Sequence, residues 1–337
     1  MPPTISWSDL AGLRVGVWGL GVEGHANLRK LATLGVQPAV LVDDKPATGD
    51  VVATVEGGLE RLAACDVVIK SPGISRYRED LRALEAGGVP VVGGLGLWLA
   101  DADRDRVVCV TGTKGKSTTT AVAGHLISRL GQRVLTGGNL GLAPWDPDAP
   151  QDVDWWVIET SSYQATDVAL GPAVVAVTSL SEDHLPWHQG AENYFRDKLS
   201  LCRAPGVRTV VADDNAALRA RAADLGPAVR WVGDEDAGWA SGLGLLGGHN
   251  VRNALVARAA LVALGVPGAD DDARIAEAAQ GFAGLGSRLN KVGHVDGVDF
   301  VDDGLSTNVL PTLAAVDAFP GRRVALLVGG HDRGIDY

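Results

Sequence analysis

Cysteine is scarce. Cys65, Cys109 and Cys202 are odd in number and form no C-x-x-C pair, so neither a disulfide framework nor a zinc site is expected. A reducing, cytoplasmic compartment fits. Positive charge is in the minority: 30 Lys and Arg stand against 41 Asp and Glu, for a net −11. Such a field repels phosphate backbones and excludes bulk nucleic-acid binding, so any bound anion has to be captured locally. Long apolar runs are missing, and the start, MPPTISWSDLAG, has no basic stretch leading into an apolar one, which excludes membrane insertion and export. Aromatic residues make up 5%, and only seven lysines (30, 45, 70, 114, 116, 198 and 291) stand beside the arginines. Hydrophobic residues at 46% and charged ones at 21% nonetheless describe an ordinary globular protein, long enough at 337 residues for two or three domains.

The chain reads as α/β in three segments. Residues 1–102 open with LRVGVWGLGVEG, an apolar run and a glycine turn. The helical stretch HANLRKLATLG and a second strand, PAVLVDD, follow as in a βαβ unit, and CDVVIKSPGI and GVPVVGG supply further strands. The charged stretch DADRDR marks a linker. Residues 103–286 repeat strand, glycine loop and helix in RVVCVTGTKGKSTTTAVAGHL. DWWVIET, AVVAVTSL and VRTVVADD then alternate with helices, predicting a larger, mainly parallel sheet. Residues 287–337 hold GHVDGVDFVDDG, a helical TLAAVDAF and a predicted strand RRVALLVGG. This segment is small for a domain, and its remainder is expected beyond Tyr337, which leaves little or no activity expected of residues 1–337 alone.

Gly19, Gly21 and Gly24 form G-x-G-x-x-G at a strand-to-helix turn, where missing side chains let backbone N–H groups meet an anion. Asp43 and Asp44 close the next strand, placed to accept from a sugar hydroxyl. The second loop, Gly112-Thr113-Lys114-Gly115-Lys116-Ser117-Thr118, is a short form of the phosphate loop of NTPases, G-x-x-G-K-S. Its N–H groups would cradle ATP phosphates, Lys116 would meet the β/γ oxygens, and Ser117 would place a hydroxyl on Mg²⁺. Glu159, His184 and Lys198 fall at or beyond strand ends, on the side where ligands of parallel sheets collect. Taken singly they read as a solvated carboxylate, a satisfied histidine and a surface lysine.

Read in order with the loop, these residues carry more. Gly138-Asn139-Leu140-Gly141, Glu159-Thr160-Ser161-Ser162-Tyr163-Gln164, Glu182-Asp183-His184, Lys198 and Gly248-His249-Asn250-Val251-Arg252-Asn253 follow the ATP loop. The whole resembles the Mur ligases of peptidoglycan synthesis. The first-segment turn, Asp43-Asp44 and Lys70-Ser71-Pro72-Gly73-Ile74 resemble the branch that adds glutamate to UDP-N-acetylmuramoyl-L-alanine. The resemblance implies a Rossmann-like first domain, a central ATPase-type domain and the start of a Rossmann-like third. It implies a cytoplasmic monomer that makes an acyl phosphate with ATP and lets the amine of glutamate attack it. Lys116 would hold ATP, Ser117 and Glu159 one Mg²⁺, and His184 a second. Lys198 would be carbamylated and bind metal. Asn250, Asn253 and Arg288 would meet the nucleotide. Gly19, Leu20, Gly21, Val22, Asp43, Asp44, Ser71 and Gly73 would hold UDP, with Asn139 and His184 near the muramoyl peptide.

The departures are informative. Asp303-Gly304-Leu305-Ser306-Thr307-Asn308 has Leu305 where D-glutamate-adding relatives carry a lysine for the incoming carboxylate, removing a charge-assisted hydrogen bond of about 1.5–3 kcal/mol. Leu285-Gly286-Ser287-Arg288 and Ser181-Glu182-Asp183-His184-Leu185-Pro186-Trp187-His188 depart likewise, toward the branch that adds L-glutamate. A D-glutamate ligase is the alternative. A nicotinamide-dependent oxidoreductase suits the first turn but leaves the second loop idle. A folate-type polyglutamate ligase would lack the first segment, and a bare ATP-binding module has no use for Glu159, His184 and Lys198 together.

Overall fold

The computed structural model describes residues 2–45, 49–139, 141–233, 236–306 and 309–329; Leu140, Thr307, Asn308 and Gly330, which belong to motifs quoted above, lie outside them, as do 331–337. Five strands, β1 (Val15–Trp18), β2 (Val40–Asp43), β3 (Val51–Ala53), β4 (Val67–Lys70) and β5 (Val91–Gly93), form a first sheet in the order β3-β2-β1-β4-β5. Six more form a second: β6 (Val107–Thr111), β7 (Val134–Gly138), β8 (Trp155–Glu159), β9 (Val174–Val177), β10 (Thr209–Asp213) and β11 (Val229–Val232), ordered β11-β10-β9-β6-β8-β7. Every pairing in both sheets is parallel. The fold is therefore α/β, as the alternation of apolar runs and helical stretches predicts.

Parallel strands covered on both faces are apolar throughout, and the alternation of side chains divides them between cores. Val107 and Cys109 of β6 face one core, Val108 and Val110 the other. The first of these cores also takes in Val15, Val17 and Leu31, so it runs unbroken from the first sheet into the second. Helices Lys116–Arg129 and Gly248–Leu264 cover the opposite face of the second sheet. Trp18, Val42, Leu62 and Leu81 fill a third core on the far face of the first sheet.

The sequence reading misses β3, β7 and β11. These strands lie toward the sheet edges and are short or partly polar, with Gly137 and Gly138 inside β7 and Arg230 inside β11. The third segment forms an antiparallel pair, β12 (Asn290–Val295) with β13 (Val298–Asp302), and a helix Val309–Asp317. The strand expected in RRVALLVGG is not formed. Residues 323–329 are exposed, Leu327 at 97%, and pair with no strand among the described residues, so their backbone has no ladder to join.

Candidate active site

The second glycine loop is held in shape before any phosphate arrives. Thr113 N–H donates to Ser179 O at 2.9 Å, and Lys114 N–H to Ser179 Oγ at 2.8 Å, fixing the loop on the segment that follows β9. Thr113 Oγ1 is 2.8 Å from the Tyr194 hydroxyl. Gly115 lies at φ +88°, and a Cβ there would stand 2.3 Å from Asn253 Oδ1. Gly115→Ala is accordingly expected to weaken ATP binding about tenfold or more, read by calorimetric titration. Unchanged affinity would show the loop to be freer than its geometry.

Two lysines converge on one carbonyl. Lys116 Nζ donates to Gly112 O at 3.0 Å and Thr113 O at 3.2 Å, and Lys198 Nζ donates to the same Gly112 O at 2.9 Å. Lys198 is 2% exposed and lies 5.0 Å from the Tyr194 ring centroid. Burial first, then the neighbouring Lys116, holds its amine well below the ordinary lysine range. Burial also lowers Lys116, against the pull of Glu159. Lys198 is not the surface lysine that it suggests alone.

Glu159 ends β8 and is buried. Its Oε1 accepts from Asn139 Nδ2 at 2.7 Å, while Oε2 has no hydrogen-bond partner among the described residues. A buried carboxylate oxygen left unpaired is costly unless something binds it. Lys114 Nζ donates to Asp183 Oδ2 at 3.2 Å, and His184 follows in a left-handed backbone conformation, φ +50°. Burial lowers the His184 imidazole, opposed by Asp183, so a ring nitrogen is available as a ligand near neutral pH. Among the described residues no three His, Cys, Asp or Glu side chains cluster as a metal cage. A Mg²⁺ that draws most of its ligands from phosphate and water needs no such cage.

Arg288 reaches in from the third segment, its Nη2 donating to Ser117 Oγ at 3.4 Å. Asn250 and Asn253 are buried and bonded to each other at 3.2 Å, and Thr119 Oγ1 donates to Asn253 O. Their observed work is to brace the loop and its helix.

The first glycine turn is equally specific. Gly24 lies so close to the turn that a Cβ there would sit 2.1 Å from Gly19 O, while Gly21 and Val22 remain exposed at the N-terminus of helix Val22–Thr33, where helical N–H groups lack internal partners. Ser71 Oγ donates to Gly19 O at 2.5 Å, and Leu20 N–H donates to Asp43 Oδ2 at 2.7 Å. Asp44 is held by Arg78 and by Thr54 Oγ1 at 2.7 Å. The two acids thus shape the turn and its surroundings. Gly73 O accepts from Trp187 Nε1 at 3.1 Å, which docks the turn after β4 on the segment that carries His184.

Sequence reasoning misses the residues that join the two sheets. Lys70, quoted with the first-segment turn, is fully buried and pairs with Asp167 at 2.7 Å, as does Arg76 Nε. Glu23 Oε1 accepts from Gln164 Nε2 at 2.6 Å, the same Gln164 that forms a capping box with Ser161. Burial raises the Glu23 carboxyl to about 7, with Asp167 adding to the rise and Gln164 and Lys70 opposing it. The folded chain thus binds this proton more tightly than the unfolded one, so the group's contribution to stability is full below about pH 4.5 and lost as pH rises toward 7. Glu23→Gln is expected to flatten that decline in the thermal midpoint. A decline of the same size in the variant would contradict the assignment.

Known proteins carry the same pattern. A domain described as the Mur ligase middle domain matches residues 110–242. The UDP-N-acetylmuramoyl-L-alanine--L-glutamate ligase of Micromonospora sp. is 40% identical, covering 98% of this chain and 78% of the relative, and that of Xanthomonas axonopodis pv. citri is 37% identical over 98% and 77%. Among solved structures, MurF from Acinetobacter baumannii superposes with a TM-score of 0.53 at 18% identity over 91% of this chain and 68% of that one. UDP-N-acetylmuramate-alanine ligase MurC from Thermotoga maritima gives 0.51 at 19% over 86% and 74%. The chain belongs to the Mur ligases, the ATP-dependent enzymes that form amide bonds in peptidoglycan precursor synthesis.

Proposed function

We propose that the protein joins L-glutamate to UDP-N-acetylmuramoyl-L-alanine through an acyl phosphate. The observation that carries the chemistry is the meeting of Lys116 and Lys198 at Gly112 O beside the unpaired Oε2 of Glu159. A carboxylate is a poor electrophile, so the γ-phosphoryl of ATP is transferred to it, and the amine of glutamate then displaces phosphate. Lys116 draws charge off the transferring group, the Gly112–Gly115 amides hold the phosphates, and Arg288 closes the site from the third segment. Mg²⁺, with Ser117 and Glu159 as its protein ligands and a second ion at His184 and Lys198, would neutralise the phosphate oxygens. Lys198 fits carbamylation, since burial and the neighbouring Lys116 disfavour its ammonium form, and an anion at that position would face cations instead. The turn at Gly19–Val22, exposed at Gly21 and Val22, with Asp43, Asp44, Ser71 and Gly73 around it, would take UDP, and Asn139 the muramoyl peptide.

L-Glutamate is favoured by the relatives of that name and by Leu305, which is 49% exposed and offers no charge to a carboxylate. The reading divides the chain into a UDP-binding domain (1–102), an ATP-binding domain (103–286) and the amino-acid-binding segment (287–337). It makes the protein a monomer of the cytoplasm, where UDP-linked precursors and ATP are found; no helix among the described residues is long and apolar enough to cross a membrane. The test is ADP release by the full-length protein on mixing ATP, Mg²⁺, UDP-N-acetylmuramoyl-L-alanine and L-glutamate. Release that needs all of them is expected, and a nicotinamide-dependent absorbance change in its place would overturn the reading.

A further inference from the structure

A buried chain of hydrogen bonds runs behind the site. Ser162 Oγ lies 2.9 Å from His188 Nε2, His188 Nδ1 lies 2.7 Å from Asp197 Oδ2, and the Tyr77 hydroxyl donates to Asp197 at 2.9 Å while accepting from Arg196 Nη2 at 2.8 Å. The first three residues have the spacing of a hydrolytic triad, yet Ser162 is 3% exposed and His188 fully enclosed, so no carbonyl can reach the serine. With the proton on Nδ1, every member is satisfied: Ser162 O–H donates to Nε2, Nδ1–H to Asp197, and Tyr77 O–H to the same carboxylate. Burial, then Asp197, raises the Tyr77 hydroxyl, which keeps it a donor.

What the chain connects gives it meaning. Ser162 stands three residues after Glu159, His188 four after His184, and Asp197 immediately before Lys198. The reaction's three groups thus come from three separate segments, and each segment contributes one member. Tyr77, the fourth, belongs to the first-sheet segment, seven residues beyond β4. Trp187, next to His188, stacks on Tyr163 at 4.3 Å and keeps the histidine's segment in place.

We propose that His188 is a positioning residue: through Ser162 and Asp197 it sets Glu159, His184 and Lys198 at their mutual distances and ties that arrangement to the first domain through Tyr77. This rests on the roles given to those three groups under the proposed function. A fully satisfied buried network rigidifies its members, and catalytic geometry is sensitive at the ångström scale.

The experiment uses the full-length protein and the variants Ser162→Ala, His188→Asn and His188→Gln. Asn keeps a donor where Nδ1–H stands, and Gln an acceptor where Nε2 stands. His188→Asn is expected to lower kcat about 100-fold with KM for ATP changed less than about threefold. Ser162→Ala is expected to lower it about tenfold, and His188→Gln to retain more activity than His188→Asn if the Ser162 link dominates, less if the Asp197 link does. ¹³C NMR under ¹³CO₂ gives a second readout: a carbamate signal present in the parent weakens in His188→Asn. Equal kcat in parent, Ser162→Ala and His188→Asn, or a lowered thermal midpoint with kcat and carbamate intact, overturns the positioning role. A parent protein that neither ligates nor shows the carbamate fails the functional reading instead.

Discussion

Replacing Lys198 with alanine is expected to lower ligation at least about 10³-fold while leaving ATP affinity within about threefold. A structural lysine at 2% exposure would be paired with a carboxylate, because an unpaired buried ammonium is expensive. Lys198 has no ion-pair partner among the described residues, and its Nζ donates to a carbonyl instead. Burial and Lys116 favour the uncharged amine. Under the proposed function such an amine would add to CO₂, forming an N–C bond and releasing a proton, and the resulting carbamate would be an anion facing Lys114 and Lys116. The substitution would therefore remove a ligand at the reacting phosphoryl, and it takes away one of the two lysine hydrogen bonds at Gly112 O while Lys116 keeps the other. Turnover within tenfold of the parent, or a carbamate signal that survives in the variant, would remove Lys198 from the chemistry.

The second large effect is on stability. Asp167→Ala is expected to cost about 3–5 kcal/mol, read from urea unfolding, because it leaves Lys70 fully buried without its ion-pair partner and strips Arg76 of one of its two carboxylates. Against a typical total of about 5–15 kcal/mol, that is a large fraction. Burial lowers the Lys70 amine, and Asp167 is the main influence opposing it. Changing both partners, Lys70→Met with Asp167→Leu, is expected to cost much less than Asp167→Ala alone, since no unpaired lysine then stays in the interior. A single-variant loss under 1 kcal/mol would show the two sheets to be held together chiefly by their shared apolar core.

The site was legible in the sequence where its chemistry depends on local backbone. Both glycine turns declare themselves because a strand, a turn without side chains and a helix follow one another within a few residues, and the structure places them so. Glu159 and His184 were recoverable from their places at or just past strand ends. Lys198 owes its burial to helix Ala191–Ser200 docking against the loop, which no periodicity within that helix announces. The same holds for Lys70 with Asp167, 97 residues apart, and for Ser162 with His188 and Asp197. Each residue reads as an ordinary polar side chain until distant segments meet. Asn250 and Asn253 show the converse: their motif was visible, but their bracing of Gly115 depended on how the Gly248–Leu264 helix packs. The missed strands β3, β7 and β11 lie where neighbouring strands, not intrinsic preference, decide conformation.

The most direct test of the account is a paired ligation assay. The full-length protein is given ATP, Mg²⁺ and UDP-N-acetylmuramoyl-L-alanine with either L- or D-glutamate, and both ADP and the ligated product are measured. The account predicts ligation with L-glutamate at a kcat/KM at least about tenfold above that with D-glutamate, one ADP accompanying each amide formed. Equal use of the two enantiomers, preference for the D form, or no ADP-coupled product with either would contradict it.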